Sequence, residues 1–85
     1  MAGVAGDSLR TSLNRLAGTM VGGIPRLSEQ AAANQLAGTT GLSLQGALNV
    51  YAGNTQLFYM SVRGALNKKA GTVGLGELEA ARLIP

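Results

Sequence analysis

The side chains that ordinarily carry chemistry are almost missing from this chain of 85 residues. It has no histidine and no cysteine. That removes the usual general base, the usual nucleophile activator and the soft metal ligands together. Four acids are present, Asp7, Glu29, Glu77 and Glu79, and none falls in the D-x-D-x-D-G spacing of a calcium loop. Gly71-Thr72-Val73-Gly74-Leu75-Gly76 has the outline of a phosphate loop, but it lacks the Gly-Lys-Ser/Thr ending and a preceding apolar strand. The residues therefore predict no catalytic group, no cofactor site and no metal site, and the chain is read as not an enzyme.

What the sequence does repeat is a phrase, Asn-x-x-Ala-Gly-Thr. It occurs at Asn14 to Thr19, at Asn34 to Thr39 and at Asn67 to Thr72, and with a final asparagine at Asn49 to Asn54. A helix that ends in glycine explains it. Gly18, Gly38, Gly53 and Gly71 are placed to adopt the left-handed backbone that stops a helix. The alanine before each is a good helix former. Asn14, Asn34, Asn49 and Asn67 lie one turn earlier, where asparagine is disfavoured by propensity but can bond the orphan carbonyls or the amides of the next connection. The copies are 20, 15 and 18 residues apart, so the array is irregular.

The segments between these phrases read as helices. Leu9, Leu13 and Leu16 share one face, with Asp7 as the expected N-cap. A second helix spans 29–37 behind Ser28. A third runs over 43–52, with Gly46 leaving a flat spot for a closely approaching helix. The fourth is expected to be the longest, over 55–70 and capped by Asn54 or Thr55. The fifth covers 75–83, with Leu78 and Ala81 inward. Strand-like alternation is absent. The predicted fold is all-α: four or five short helices joined by glycine-containing turns, an irregular helical repeat array in a single small domain over 1–85. Residues 1–6 and 19–27 are read as loop or arm. Of the apolar residues thirteen are alanine, and thirteen further positions are glycine, so the core is thin and contacts with partners are expected to help hold it.

The longer units, "LAGTTGLSLQGALNVYAG" and "GALNKKAGTVGLGELEAARL", resemble short A/L-N-x-x-A-G-T-T-G-L repeats of tailed bacteriophages of actinobacteria, where they occur in virion proteins of the minor capsid or minor tail type. The resemblance covers about Leu13 to Leu83. It is clearest at Ala37 to Leu42 and at Ala70 to Leu75, and degraded at Ala17 to Gly22; the copy at Ala52 to Thr55 lacks the Gly-Leu ending. It implies a non-enzymatic structural component of a virion, a capsid decoration or tail protein. Its partners would be other virion proteins and copies of itself, in a particle assembled from chains made in the host cytoplasm.

Charge sets up the alternative. The net charge is +3 and the pI about 10.0, which invites a small helical DNA-binding or regulatory module. Position argues otherwise. The four acids lie in or beside first helical turns, and Arg15, Lys68, Lys69 and Arg82 in last turns, as helix dipoles favour. Arg10, Arg26 and Arg63 are scattered. The helix after Gly53 opens too apolar for a recognition helix, so nucleic acid is not an expected partner. Neither a small-molecule ligand nor a membrane is expected, since no run approaches the roughly 18 apolar residues of a spanning helix. The apolar run from Leu57 to Val62 has too many sides for one core. Leu57, Tyr59, Met60 and Arg63 are the candidate interface, with Tyr59 equally readable as a core aromatic. Tyr51 reads as a core or boundary residue. Val21 to Ile24 reads either as an arm that docks on a neighbour or as plain loop.

Overall fold

A computed structural model describes residues 8–55 and 59–85. Five helices follow one another: α1 (Leu9–Ala17), α2 (Glu29–Ala37), α3 (Leu44–Tyr51), α4 (Val62–Ala70) and α5 (Glu77–Leu83). Between α1 and α2 lie two short strands, β1 (Met20–Val21) and β2 (Ile24–Pro25), paired antiparallel with Val21 opposite Ile24. The fold is thus mainly helical but not all-α. The hairpin is the work of Gly22 and Gly23, which both take positive φ, 59° and 79°. That pair of angles belongs to the tight two-residue turn whose twist suits a hairpin. Apolar residues flank the glycines, and the Arg26 amide bonds the Thr19 carbonyl at 3.2 Å to close the base.

The first four helices begin alike. Ser8, Ser28, Ser43 and Ser61 sit in extended backbone, and each hydroxyl accepts from the amide three residues on. This satisfies one of the orphan donors of the first turn. The cap of α1 is therefore Ser8, and Asp7 lies outside the described residues. α4 also starts later than its apolar pattern suggests, at Val62 behind Ser61 and not at Thr55. Met60 is the reason. Its amide and carbonyl are bonded to the Asn49 side chain, so the run through Met60 cannot continue as helix. Leu57 and Phe58 lie outside the described residues. α5 starts behind Gly76 with no side-chain cap.

The endings are as uniform as the starts. Gly18, Gly38 and Gly71 close their helices at φ 75°, 72° and 78°. The residue after each donates its amide back to the carbonyl of Asn14, Asn34 or Asn67 at 2.9 Å. α3 ends one step differently: Ala52 is its right-handed cap, and Gly53 takes the positive φ. Its closing bond, Asn54 amide to Asn49 carbonyl, is the same.

Packing follows from this uniformity. Two adjacent positions, the fourth and fifth after each cap, are buried in every helix: Ser12 and Leu13, Ala32 and Ala33, Ala47 and Leu48, Ala65 and Leu66, Ala80 and Ala81. Leu9 and Ile84 complete the core. α2 packs on α1 and α3, α4 on α3 and α5, and α5 returns to α1, so the row of helices closes on itself where an open solenoid would leave its ends bare. Leu78 is only half-buried, while Ala81 is inside.

Gly71→Ala and Gly38→Ala are expected to lower unfolding stability by about 1 kcal/mol or more each. No heavy atom lies within 4 Å of an added Cβ at either site, so the cost measured by urea denaturation isolates the backbone conformation. A neutral result at both positions would show that these helix ends do not need the left-handed turn.

Candidate functional site

The repeated asparagines are buried polar residues in an apolar core, and each is used in the same way. Asn67 donates from Nδ2 to the Arg63 carbonyl and to the Leu75 carbonyl, both at 2.9 Å. Its Oδ1 accepts the Leu75 amide at 3.0 Å and the Thr72 hydroxyl at 2.8 Å. Asn34 does the same with Gln30, Leu42 and Thr39. Asn14 uses Arg10, Leu27 and Thr19. Asn49 uses Gln45 and Met60, with Asn54 in the place of the threonine.

The chemistry of an amide explains the choice. Its two N–H donors and its doubly accepting oxygen match four partners. One donor quiets a carbonyl in its own helix. The remaining donor and the oxygen take both backbone groups of one residue in the next connection, as a neighbouring β-strand would. That residue, Leu27, Leu42, Met60 or Leu75, stands immediately before the next N-cap. Each asparagine therefore ends one helix and sets the start of the following one. Among the described residues no buried side-chain nitrogen or oxygen lacks a partner.

The chain's cations are largely turned to its own surface. Arg10 donates to the Leu27 and Pro25 carbonyls at 2.9 and 3.1 Å, which straps the hairpin to α1. Arg15 donates to the Ser12 hydroxyl. Lys68 donates to Asn54 Oδ1 at 2.6 Å, tying α4 to the turn after α3. The Lys69 ammonium sits 4.6 Å from the centre of the Tyr51 ring, a cation–π arrangement. Tyr51 is half-buried against the core, and burial pushes its hydroxyl above the ordinary tyrosine range.

Of the candidate interface residues, Leu57 lies outside the described set. Tyr59 is half exposed and Arg63 exposed, while Met60 is partly buried. Tyr59 and Met60 turn toward different helices. The Tyr59 hydroxyl lies 2.7 Å from the point a Cβ on Gly46 would occupy, and the Met60 methyl 3.1 Å from the corresponding point on Gly64. The flat spot at Gly46 thus receives a tyrosine from the following connection and not a helix. Val21 and Ile24 are exposed on the hairpin, and Val73 is 94% exposed. The spacing pattern alone missed Val73, along with the Arg10 strap and the tie from Lys68 to Asn54. A signal for the caps was present in the sequence and was missed as a pattern: a serine stands six residues before each of the four asparagines, at Ser8, Ser28, Ser43 and Ser61.

Among the described residues no group of three or more acids could hold a metal ion, and no helix is long and apolar enough to cross a membrane. No family model, curated protein or solved structure matches the chain.

Replacing Asn67 tests the clamp. Asn67→Ala leaves the Leu75 amide and two carbonyls without their buried partner, a loss of about 2–4 kcal/mol when more than one group is stranded at about 1–3 kcal/mol each. Asn67→Asp introduces a carboxylate facing two carbonyl oxygens. That environment raises its folded-state pKa above the unfolded value. The variant should therefore gain stability relative to the original chain as pH falls through the carboxylate range, and lose it as pH rises. Equal pH profiles for the two proteins in urea melts would contradict the bonding described.

Proposed function

We propose that this chain is a non-enzymatic structural component of a tailed-bacteriophage virion, a minor capsid, decoration or tail protein that acts through protein–protein contacts in a multi-copy assembly. The observation that carries the reading is the use of the four asparagines. The asparagine of the repeated phrase is spent on the chain's own backbone and on the Thr or Asn side chain five residues on, four times over, in the service of helix ends and starts. A repeated motif spent this way supports a scaffold whose outward-facing surfaces are the working parts. The resemblance to actinobacterial phage repeats lies in these same residues, Asn-x-x-Ala-Gly-Thr with the following Gly-Leu, and supports the assignment to a virion.

The DNA-binding alternative is weakened by the cations. Arg10, Arg15, Lys68 and Lys69 engage groups of the chain itself, and the rest of the positive charge is dispersed. Duplex binding draws its affinity from clustered cations releasing counterions, with a steep salt dependence.

The test is mass spectrometry of purified phage particles from cells carrying the gene, with the chain expected at a fixed stoichiometry to the major capsid or tail protein. Its absence from intact particles, together with salt-dependent binding to duplex DNA, would replace this reading with the regulatory one.

A further inference from the structure

The helices form a closed row, and four of its five seams are made twice over. α1 with α2, α2 with α3, α3 with α4 and α4 with α5 are each joined by a connection, and each connection is clamped by an asparagine of the preceding helix. The fifth seam, α5 on α1, has neither. Its two helices stand at opposite ends of the described chain, and α5 carries Arg82 where the others carry asparagine. A guanidinium donates but does not accept. Whatever Arg82 bonds, it cannot take both the amide and the carbonyl of one residue. The contact of α5 with α1 is also the sparsest among the packed helix pairs.

α5 is the least anchored helix at its start as well. It is the shortest, seven residues against eight or nine. Its N-cap, Gly76, has the same extended backbone as the four serines but no hydroxyl to accept a first-turn amide. The residue before it, Leu75, is held at both its amide and its carbonyl by Asn67. The clamped backbone thus ends one residue before α5, and the step between them is glycine, the residue with the widest choice of backbone angles. Want of room does not explain that glycine. A Cβ on Gly76 would meet only Glu79 Oε1, at 3.6 Å.

This loosely held helix nevertheless covers surface that the fold does not leave bare. Ala80, Ala81 and Ile84 of α5 are buried, as is Leu13 of α1. If α5 swings away, one apolar face is uncovered on α1 and α4 and another on α5 itself. Each face already has a surface that fits it, the same element in another copy. Reciprocal exchange restores the buried contacts and changes only the path of the hinge, which makes it a low-cost route to association.

We propose that α5 is an exchangeable element. It hinges at Gly76 while Leu75 stays clamped, and it seats against α1 and α4 of a second copy of this chain, whose own α5 does the same in return. The occupant of the vacated face is a second copy because α5 is the surface that the structure shows fitting it. The proposal deepens the reading of this chain as a component of a multi-copy assembly and rests on that reading, but not on which particle contains it.

Two measurements on the full chain test it. In native-state amide exchange, α5 is expected to exchange ahead of α2 and α3, through an opening that leaves those helices closed. Gly76→Ser supplies the missing cap and should raise the protection of α5 about twofold relative to α2. For the partner, isotope-labelled and unlabelled chains are mixed at millimolar concentration, warmed to permit exchange, and followed by light scattering and isotope-filtered NMR. The expected result is a dimer with nuclear Overhauser contacts between methyl groups of α1 in one copy and of α5 in the other. The proposal is overturned if the chain stays monomeric, or if its dimer shows no such contacts between copies. It is equally overturned if α5 exchanges no sooner than α2, or if Gly76→Ser leaves its protection unchanged. A chain found in virions without exchange of α5 loses this device and keeps the proposed function; a chain that exchanges α5 but is absent from particles does the reverse.

Discussion

One asparagine amide, placed one turn before the end of a helix, holds two helices in register. It spends a donor on its own helix and gives both ends of its amide to a single residue of the next connection. The four bonds use the full hydrogen-bonding capacity of the side chain. No other residue of that size does this. Aspartate has no donors, leucine has neither donors nor acceptors, and glutamine is one carbon longer. Because the group is buried, each missing bond would strand a backbone amide or carbonyl out of water, which is far costlier than the modest net gain from forming it.

The smallness of the rest of the structure depends on this clamp. Helices of seven to nine residues are too short to be stable on propensity alone. A core built of alanine and leucine buries less apolar area than one with larger side chains. Serine caps at the starts, left-handed turns at most ends and an asparagine across each junction fix the backbone where side-chain packing is sparse. α5 marks the limit of the scheme: Arg82 stands six residues after Gly76, where the other helices place their asparagine after serine. α5 instead closes against α4 and α1 through Ala80, Ala81 and Ile84.

The clamp fixes where a connection ends without fixing its length. Leu42 follows Thr39 and Leu75 follows Thr72 by three positions, Met60 follows Asn54 by six, and Leu27 follows Thr19 by eight. Insertions are therefore absorbed in the connections while the helix ends keep their bonding. The longest insertion folds as a hairpin strapped down by Arg10, and the intermediate one places Tyr59 on α3. Asn54, in the place of a threonine, gains a second use as acceptor for Lys68. Variation of this kind, on a fixed frame, is where binding surfaces arise in other folds too.

The sequence by itself determined the helix ends. Ala-Gly-Thr with an asparagine at constant offset specifies a left-handed stop, and that is a local matter of backbone sterics, legible residue by residue. It also determined the mainly helical class, the boundaries of the second helix and the scarcity of groups for catalysis. What it did not reveal was the partner of each asparagine, because the clamped residue lies eight to thirteen positions downstream at no fixed spacing. Tertiary structure decided that. It thereby moved the start of α4 from Thr55 to Val62, since a backbone already bonded to Asn49 has no freedom to join a helix. It also made a two-stranded hairpin of a segment too short to show alternation, and it sent Tyr59 and Met60 toward different helices, where apolar character alone had grouped them. At the start of α4 the local preference for helix was real, and the bonds from Asn49 to the Met60 backbone outweighed it.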